Sequence, residues 1–176
     1  VDQAVFTAAK GTTMVIPTDY TGGNYAVLEA NIKATDEITY DWNSNILFSL
    51  TGEVWDAYDF QIVYGTSGEQ NLVKLTGETT TVGDVTIEQE QWLNDPALEK
   101  IFTEEGMNIK VVRMDDQACL LADMGSGFKV IGKMFIPVEE VTLFTVFNPS
   151  TAVEISNYSI SIGADAANSA MENVIQ

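Results

Sequence analysis

Hydrophobic and polar positions alternate along much of this chain, most densely in its last third. Five short segments follow one another there: Met107–Met114, Gln117–Met124, Phe128–Met134, Val141–Phe147 and Val153–Ile162. Turn-forming residues separate them: Asp115-Asp116, Gly125-Ser126-Gly127, Pro137 and Asn148-Pro149-Ser150. Strands this short at this spacing predict an antiparallel sandwich or barrel.

The first two thirds continue the theme. Val5–Lys10 and Thr12–Ile16 are apolar and β-branched around Gly11 and read as opening strands. Tyr25–Lys33 alternates clearly: Ala26, Leu28, Ala30 and Ile32 share one face, and Tyr25, Val27, Glu29, Asn31 and Lys33 the other. That pattern predicts one buried face and one partly wet face. Ile46–Thr51 and Ala57–Tyr64 read as a strand pair, followed by a short strand at Leu72–Leu75, a Thr-rich turn region at Gly77–Gly83 and an edge strand at Asp84–Glu88.

One helix is predicted between Asn94 and Glu105, with Pro96 in its first turn and Gly106 ending it. Trp92, Leu93, Leu98, Ile101 and Phe102 supply its apolar stripe, with Trp92 in the core beneath. The tail changes character: it is Ala-rich, with Met171, Val174 and Ile175 at helical spacing. The domain expectation is one sandwich over residues 1–163 and a helical tail or linker over 164–176.

At 176 residues the chain is long enough for one sizeable core. Hydrophobic residues at 45% and charged residues at 19% are globular values. The formal net charge of −18, from 26 acidic and 8 basic residues, weighs against nucleic acid and against anionic membrane surfaces. It fits either simple solubility or cation binding by clustered carboxylates. The chain has no histidine, which removes Ser-His-Asp and Cys-His catalysis and histidine metal sites. Its single cysteine, Cys119, lies in an apolar strand and reads as a small hydrophobe. One cysteine suits a cytosolic protein and a secreted one alike. No stretch approaches transmembrane length, so membrane insertion is not expected. A start at Val1 without methionine suggests a domain of a longer polypeptide or a mature secreted product.

Two passages carry a family resemblance. In the first, Leu98-Glu-Lys-Ile-Phe-Thr-Glu-Glu-Gly106 leads into a strand ending Val111-Val112-Arg113, then an acidic turn, then a strand ending near Asp123. In the second, Val141-Thr-Leu-Phe-Thr-Val-Phe147 precedes Ile155-Ser-Asn-Tyr-Ser-Ile-Ser-Ile162. Over about Ile46 to Ile162 this order resembles the concanavalin A-like, laminin-G-like jelly rolls of bacterial surface or secreted proteins, many of which bind glycans. Asp116 stands where the hairpin usually has glycine, and Leu121 where it usually has an aromatic. The resemblance implies an all-β, two-sheet antiparallel jelly-roll sandwich with one short helix, located outside the cell or on its surface.

Candidate chemistry gathers in loops. Tyr40-Asp41-Trp42-Asn43 and Trp55-Asp-Ala-Tyr58-Asp59 place aromatics among hydrogen-bonding residues. Sugar rings stack their C–H faces on aromatic planes while Asp and Asn bind the hydroxyls. The same tryptophans also read as caps on the core. Trp42 and Trp55 would lie at opposite ends of one strand pair, so a shared site would be an extended groove. Arg113, the only arginine, reads either as a surface ion pair with Asp115 and Asp116 or as a fork for a sugar. Asp36, Asp41, Asn43, Asn45, Asp56 and Asp59 are candidate calcium ligands, although no D-x-D-x-D-G loop occurs; calcium is the one cofactor the sequence suggests. Jelly-roll glucanases use E-x-D-x-x-E on one strand, whereas Glu53 and Asp56 are three residues apart and point to opposite faces.

The expected function is therefore non-catalytic binding of an extracellular oligosaccharide or polysaccharide by a module of a larger protein. One alternative is a structural or adhesive domain contacting a protein or neighbouring domains of its own polypeptide. A glycoside hydrolase is the other.

Overall fold

The computed structural model describes residues 4–8, 25–35, 44–49, 59–64, 72–76, 80–82, 85–87, 90–94, 104–123, 125–135 and 153–175. These form twelve strands: β1 (Ala4–Ala8), β2 (Tyr25–Ala34), β3 (Ser44–Ser49), β4 (Asp59–Tyr64), β5 (Leu72–Thr76), β6 (Thr80–Val82), β7 (Val85–Ile87), β8 (Glu90–Asn94), β9 (Met107–Met114), β10 (Gln117–Asp123), β11 (Phe128–Phe135) and β12 (Val153–Ile162). One helix, α1 (Ala164–Met171), follows. A six-stranded sheet runs β1-β12-β2-β9-β10-β11, a four-stranded sheet runs β3-β4-β5-β8, and β6 and β7 pair alone. Every pairing between strands is antiparallel. The architecture is an all-β, two-sheet antiparallel jelly-roll sandwich with one short helix.

The alternation in Tyr25–Lys33 is realised in β2. Ala26, Leu28, Ala30 and Ile32 are buried on one face of the six-stranded sheet. The register continues that face into Met107, Ile109 and Val111 of β9, then into Leu120 and Ala122 of β10. β10 does not alternate: Ala118 to Ala122 are all buried. Its other face, Cys119 and Leu121, packs with Val27, Val112, Ala167 and Ala170 under the helix. A strand covered on both sides loses its polar rows, which is why Gln117-Ala-Cys-Leu-Leu-Ala-Asp123 carries polar residues only at its ends.

Strand β12 solves a parity problem. Its apolar residues Ile155, Tyr158 and Ile160 are all buried, yet 155 and 158 differ in parity. The register slips in both neighbours at this place, between Ser156 and Ser159 against β2 and between Ala4 and Phe6 against β1. Asn157 takes φ +53° and is the extra residue of a bulge. Simple alternation from Ile155 to Ile162 is thereby broken; Ile162, at the strand end, is 62% exposed.

The tail docks. Gly163 N–H donates to the Tyr25 carbonyl at 3.0 Å and so starts α1 on β2. Ala167, Ala170, Met171 and Val174, at i, i+3, i+4 and i+7, meet the sheet. A helix of 8 residues does not hold by propensity in water; this stripe anchors it. The chain then returns to the sheet, where Ile175 N–H donates to the Phe128 carbonyl at 2.8 Å. Ile175 bridges Lys129 in parallel, covering part of the edge of β11.

Some expectations need correction. Trp92 and Leu93 belong to β8, paired opposite Lys74 and Val73, not to a helix; aromatic and branched residues suit a strand as well as a helix stripe. Thr80–Val82, within the expected turn region, is a strand paired with Val85–Ile87. The expected helix body, residues 95–103, and the strands at Thr12–Ile16 and Val141–Phe147 lie outside the described residues. Among the described residues, no helix is long and apolar enough to cross a membrane.

Candidate functional site

The helix-side face of the six-stranded sheet carries a row of polar residues outside the apolar cluster that α1 covers. Glu29 of β2 stands opposite Lys110 of β9, and Asn31 stands opposite Asn108. On the other flank of β2, Ser159 stands opposite Glu29. These residues follow the same alternation that buries Val27, two positions before Glu29, and Val112, two positions after Lys110.

Together they shape an open depression of about 390 Å³, lined by Glu29, Asn108, Lys110, Phe128, Asn157 and Ser159, with the paired Ala30 and Ile109 between them. This volume falls within the ~300–1,000 Å³ span of small-ligand sites. Lys110 Nζ lies 3.2 Å from Glu29 Oε1 and 4.4 Å from the centre of the Phe128 ring. The ammonium is held from two sides, by a carboxylate and by the negative face of an aromatic ring. The Glu29 side chain is 44% exposed and that of Lys110 20%, so the pair borders solvent.

Three local devices place these side chains. The bulge in β12 turns Asn157 out to the surface while Tyr158 and Ile160 stay buried. Asn31 Nδ2 donates to Asn108 Oδ1 at 3.0 Å, which orients the Asn108 amide. A Cβ on Gly106 would fall within bond-like range of the Asn31 amide, and the glycine sits at φ +83°; only glycine fits there. As the sequence suggests, Gly106 follows a helical turn at Glu104–Glu105. On the far side, Asp123 Oδ1 accepts from Gly125 N–H at 2.8 Å and Gly127 N–H at 3.2 Å. This closes the β10–β11 turn that delivers Phe128.

Of the residues singled out from the sequence, Arg113 is placed most clearly. It is 1% exposed, so the surface position expected for it is incorrect. It stands between Ala26 and Ala118 on the neighbouring strands, whose small side chains leave room for it. Its Nε donates to the Asp115 carbonyl at 2.5 Å, inside the hairpin where Asp115 takes φ +56°. Asp59 opens β4, opposite Ser49, and Ser44 stands opposite Tyr64. The segment before β3 and the exit of β4 therefore share one end of that pair, as the sequence predicts. Tyr40, Asp41, Trp42, Asn43, Trp55 and Tyr58 lie outside the described residues. So do the calcium candidates Asp36 and Asp56, while Asn45 lies in β3. Among the described residues, no group of three or more acidic, cysteine or histidine side chains is arranged to hold a metal.

Glu29, Asn108, Lys110, Phe128, Asn157 and Ser159 are absent from the sequence-derived site. A signal existed for Glu29, because alternation put it on the partly wet face of Tyr25–Lys33. Nothing in the sequence shows that β9 and β12 would flank β2 and bring the others beside it.

No protein-family model matches this chain. No curated protein matches it either. Several solved structures resemble it. A functionally unknown protein from Saccharomyces cerevisiae is 9% identical with a TM-score of 0.54, the match covering 92% of this chain and 88% of that one. A fructosyltransferase from A. japonicus is 11% identical with a TM-score of 0.52, covering 92% of this chain and 26% of that one. At such identities the likeness shows the fold alone, and that fold is the jelly-roll sandwich the strand order describes.

Proposed function

We propose that this chain is a non-catalytic carbohydrate-binding module of a larger secreted or cell-surface protein. One observation carries the reading: the depression on the helix-side face offers alternating donors and acceptors on a rigid sheet. Glu29 accepts, Lys110 donates, and Asn108, Asn157 and Ser159 do both. Vicinal sugar hydroxyls, each donor and acceptor, match such a surface. The similar fructosyltransferase, by its name a sugar-transferring protein, supports the same direction.

The non-catalytic part of the proposal rests on the carboxylates. Glycoside hydrolysis ordinarily needs two flanking carboxyl groups. Glu29 is the one carboxylate among the described residues lining the depression, and it is engaged with Lys110. The test is a glycan array followed by calorimetry on any hit, for the wild type and for Asn108→Ala and Lys110→Met. Both variants should weaken binding while remaining folded. Binding left intact in both variants would remove the depression from the proposal. Silence across the array would favour a structural or adhesive domain.

A further inference from the structure

We infer that the depression selects uncharged glycans and that Glu29 is the residue that enforces this. The inference rests on the carbohydrate reading above and narrows its ligand class.

The lining residues carry one positive and one negative group, Lys110 and Glu29, 3.2 Å apart. The other polar liners, Asn108, Asn157 and Ser159, are neutral. Among the described residues the site therefore sums to zero formal charge, on a chain whose net charge is −18. Lys110 is the one cation among the described liners; its charge is matched by Glu29, and the Phe128 ring at 4.4 Å attracts it further. A uronate or sulfated sugar would have to draw Lys110 away from Glu29. It would then place its own anion beside the released carboxylate, in the field of an acidic protein. A neutral sugar needs no such exchange. Its hydroxyls can donate to Glu29 and accept from Lys110 while the pair stays closed.

Glu29 thus works as a built-in competitor for Lys110, a repulsive element as well as an attractive one. Its partial exposure makes Glu29→Gln a mild change: the shape is kept, the charge is removed, and Lys110 is left as an unmatched cation.

The experiment uses the full chain and two sets of probes. One is a panel of neutral cello-, xylo-, manno- and malto-oligosaccharides; the other is oligogalacturonate and oligoguluronate of the same length. Wild type, Glu29→Gln and Lys110→Met are titrated by calorimetry, with circular dichroism confirming the fold of each. The wild type should bind a neutral oligosaccharide and not the uronates. That affinity should change by less than about twofold between about 20 and about 500 mM salt, since no net charge is neutralised. Glu29→Gln should gain uronate binding by about tenfold or more, the equivalent of ~1.4 kcal/mol. Lys110→Met should show no such gain and should weaken the neutral ligand.

Wild-type preference for a uronate would overturn the selectivity while leaving the carbohydrate reading intact. A Glu29→Gln variant that gains nothing would overturn the role of Glu29. Failure of every probe with every variant would remove the carbohydrate reading and this inference together.

Discussion

Two halves of one sheet face behave differently. Tyr25, Val27, Val112, Met114, Cys119 and Leu121 form an apolar half that α1 covers. Glu29, Asn108 and Lys110 continue the same rows into a polar half that stays open. On β2 the change takes a single step of the pleat, from Val27 to Glu29; on β9 it runs from Val112 to Lys110. The boundary is diagonal, because Leu121 stands opposite Lys110 and still belongs to the covered cluster. A pleated sheet presents a uniform lattice of positions, and side-chain chemistry alone decides which part is roofed and which is left for a ligand. Stability should therefore reside in one half and recognition in the other.

The strongest challenge to that division is Leu121→Ala. Leu121 is fully buried beneath α1, and a truncation of this kind costs ~2–5 kcal/mol. Urea unfolding should show a marked fall in midpoint, and any glycan affinity should persist in the fraction that remains folded. If affinity fell in the folded protein as well, the two halves would be one unit.

Gly106→Ala tests the seam between structure and site. The new Cβ would meet the Asn31 amide, and the backbone there is at φ +83°. A strained residue of this kind costs ~1–3 kcal/mol. Because Asn31 holds Asn108, the variant should also lose ligand affinity. A crystal structure with Asn31 unmoved would contradict the account.

Alkaline pH probes both buried faces with a smaller effect. Burial pushes the Cys119 thiol up, with Lys133 partly opposing it, and burial also raises the Tyr158 phenol. The unfolded chain therefore releases these protons first as pH rises, and the folded state binds more of them. Their contribution is full below the ordinary cysteine value of ~8.5 and declines as pH climbs through that value and the tyrosine value of ~10. Denaturation midpoints measured from neutral pH upward should fall on the alkaline side. Cys119→Ala and Tyr158→Phe should each flatten part of that fall.

The smallest change in stability is expected in the open half. Glu29→Gln and Lys110→Met remove a solvent-bordering ion pair, and such pairs are worth ~0–1 kcal/mol. Their unfolding midpoints should stay near that of the wild type while their ligand profiles change. A large loss of stability in either would move the pair from recognition to structure.

The chain order of strands was legible because a pleat has a period of two and turns have a distinctive chemistry. Tyr25–Lys33, Met107–Met114, Gln117–Met124 and Phe128–Met134 each read directly as strands and match observed strands to within a residue, and the two faces of β2 are as the alternation predicts. The helical spacing of the tail was legible too, and Met171 and Val174 do meet the sheet. Trp92 and Leu93 misled because a short apolar pair beside a proline fits either period. Arg113 misled because a lone charge at a strand end is usually solvated; only the small neighbours Ala26 and Ala118 make room to bury it.

What the sequence determined by itself is the principal strands such as β2, β9, β10 and β11, the two faces of β2 and the all-β class, since these follow from neighbours one to ten residues apart. What only the tertiary structure decided is adjacency: β12 beside β2, β2 beside β9, and α1 over one end of their shared face. The depression exists because Glu29, Lys110, Phe128 and Asn157 come from four strands far apart in the chain. No local pattern encodes that meeting; the pairing of distant backbones and the burial of apolar rows bring it about.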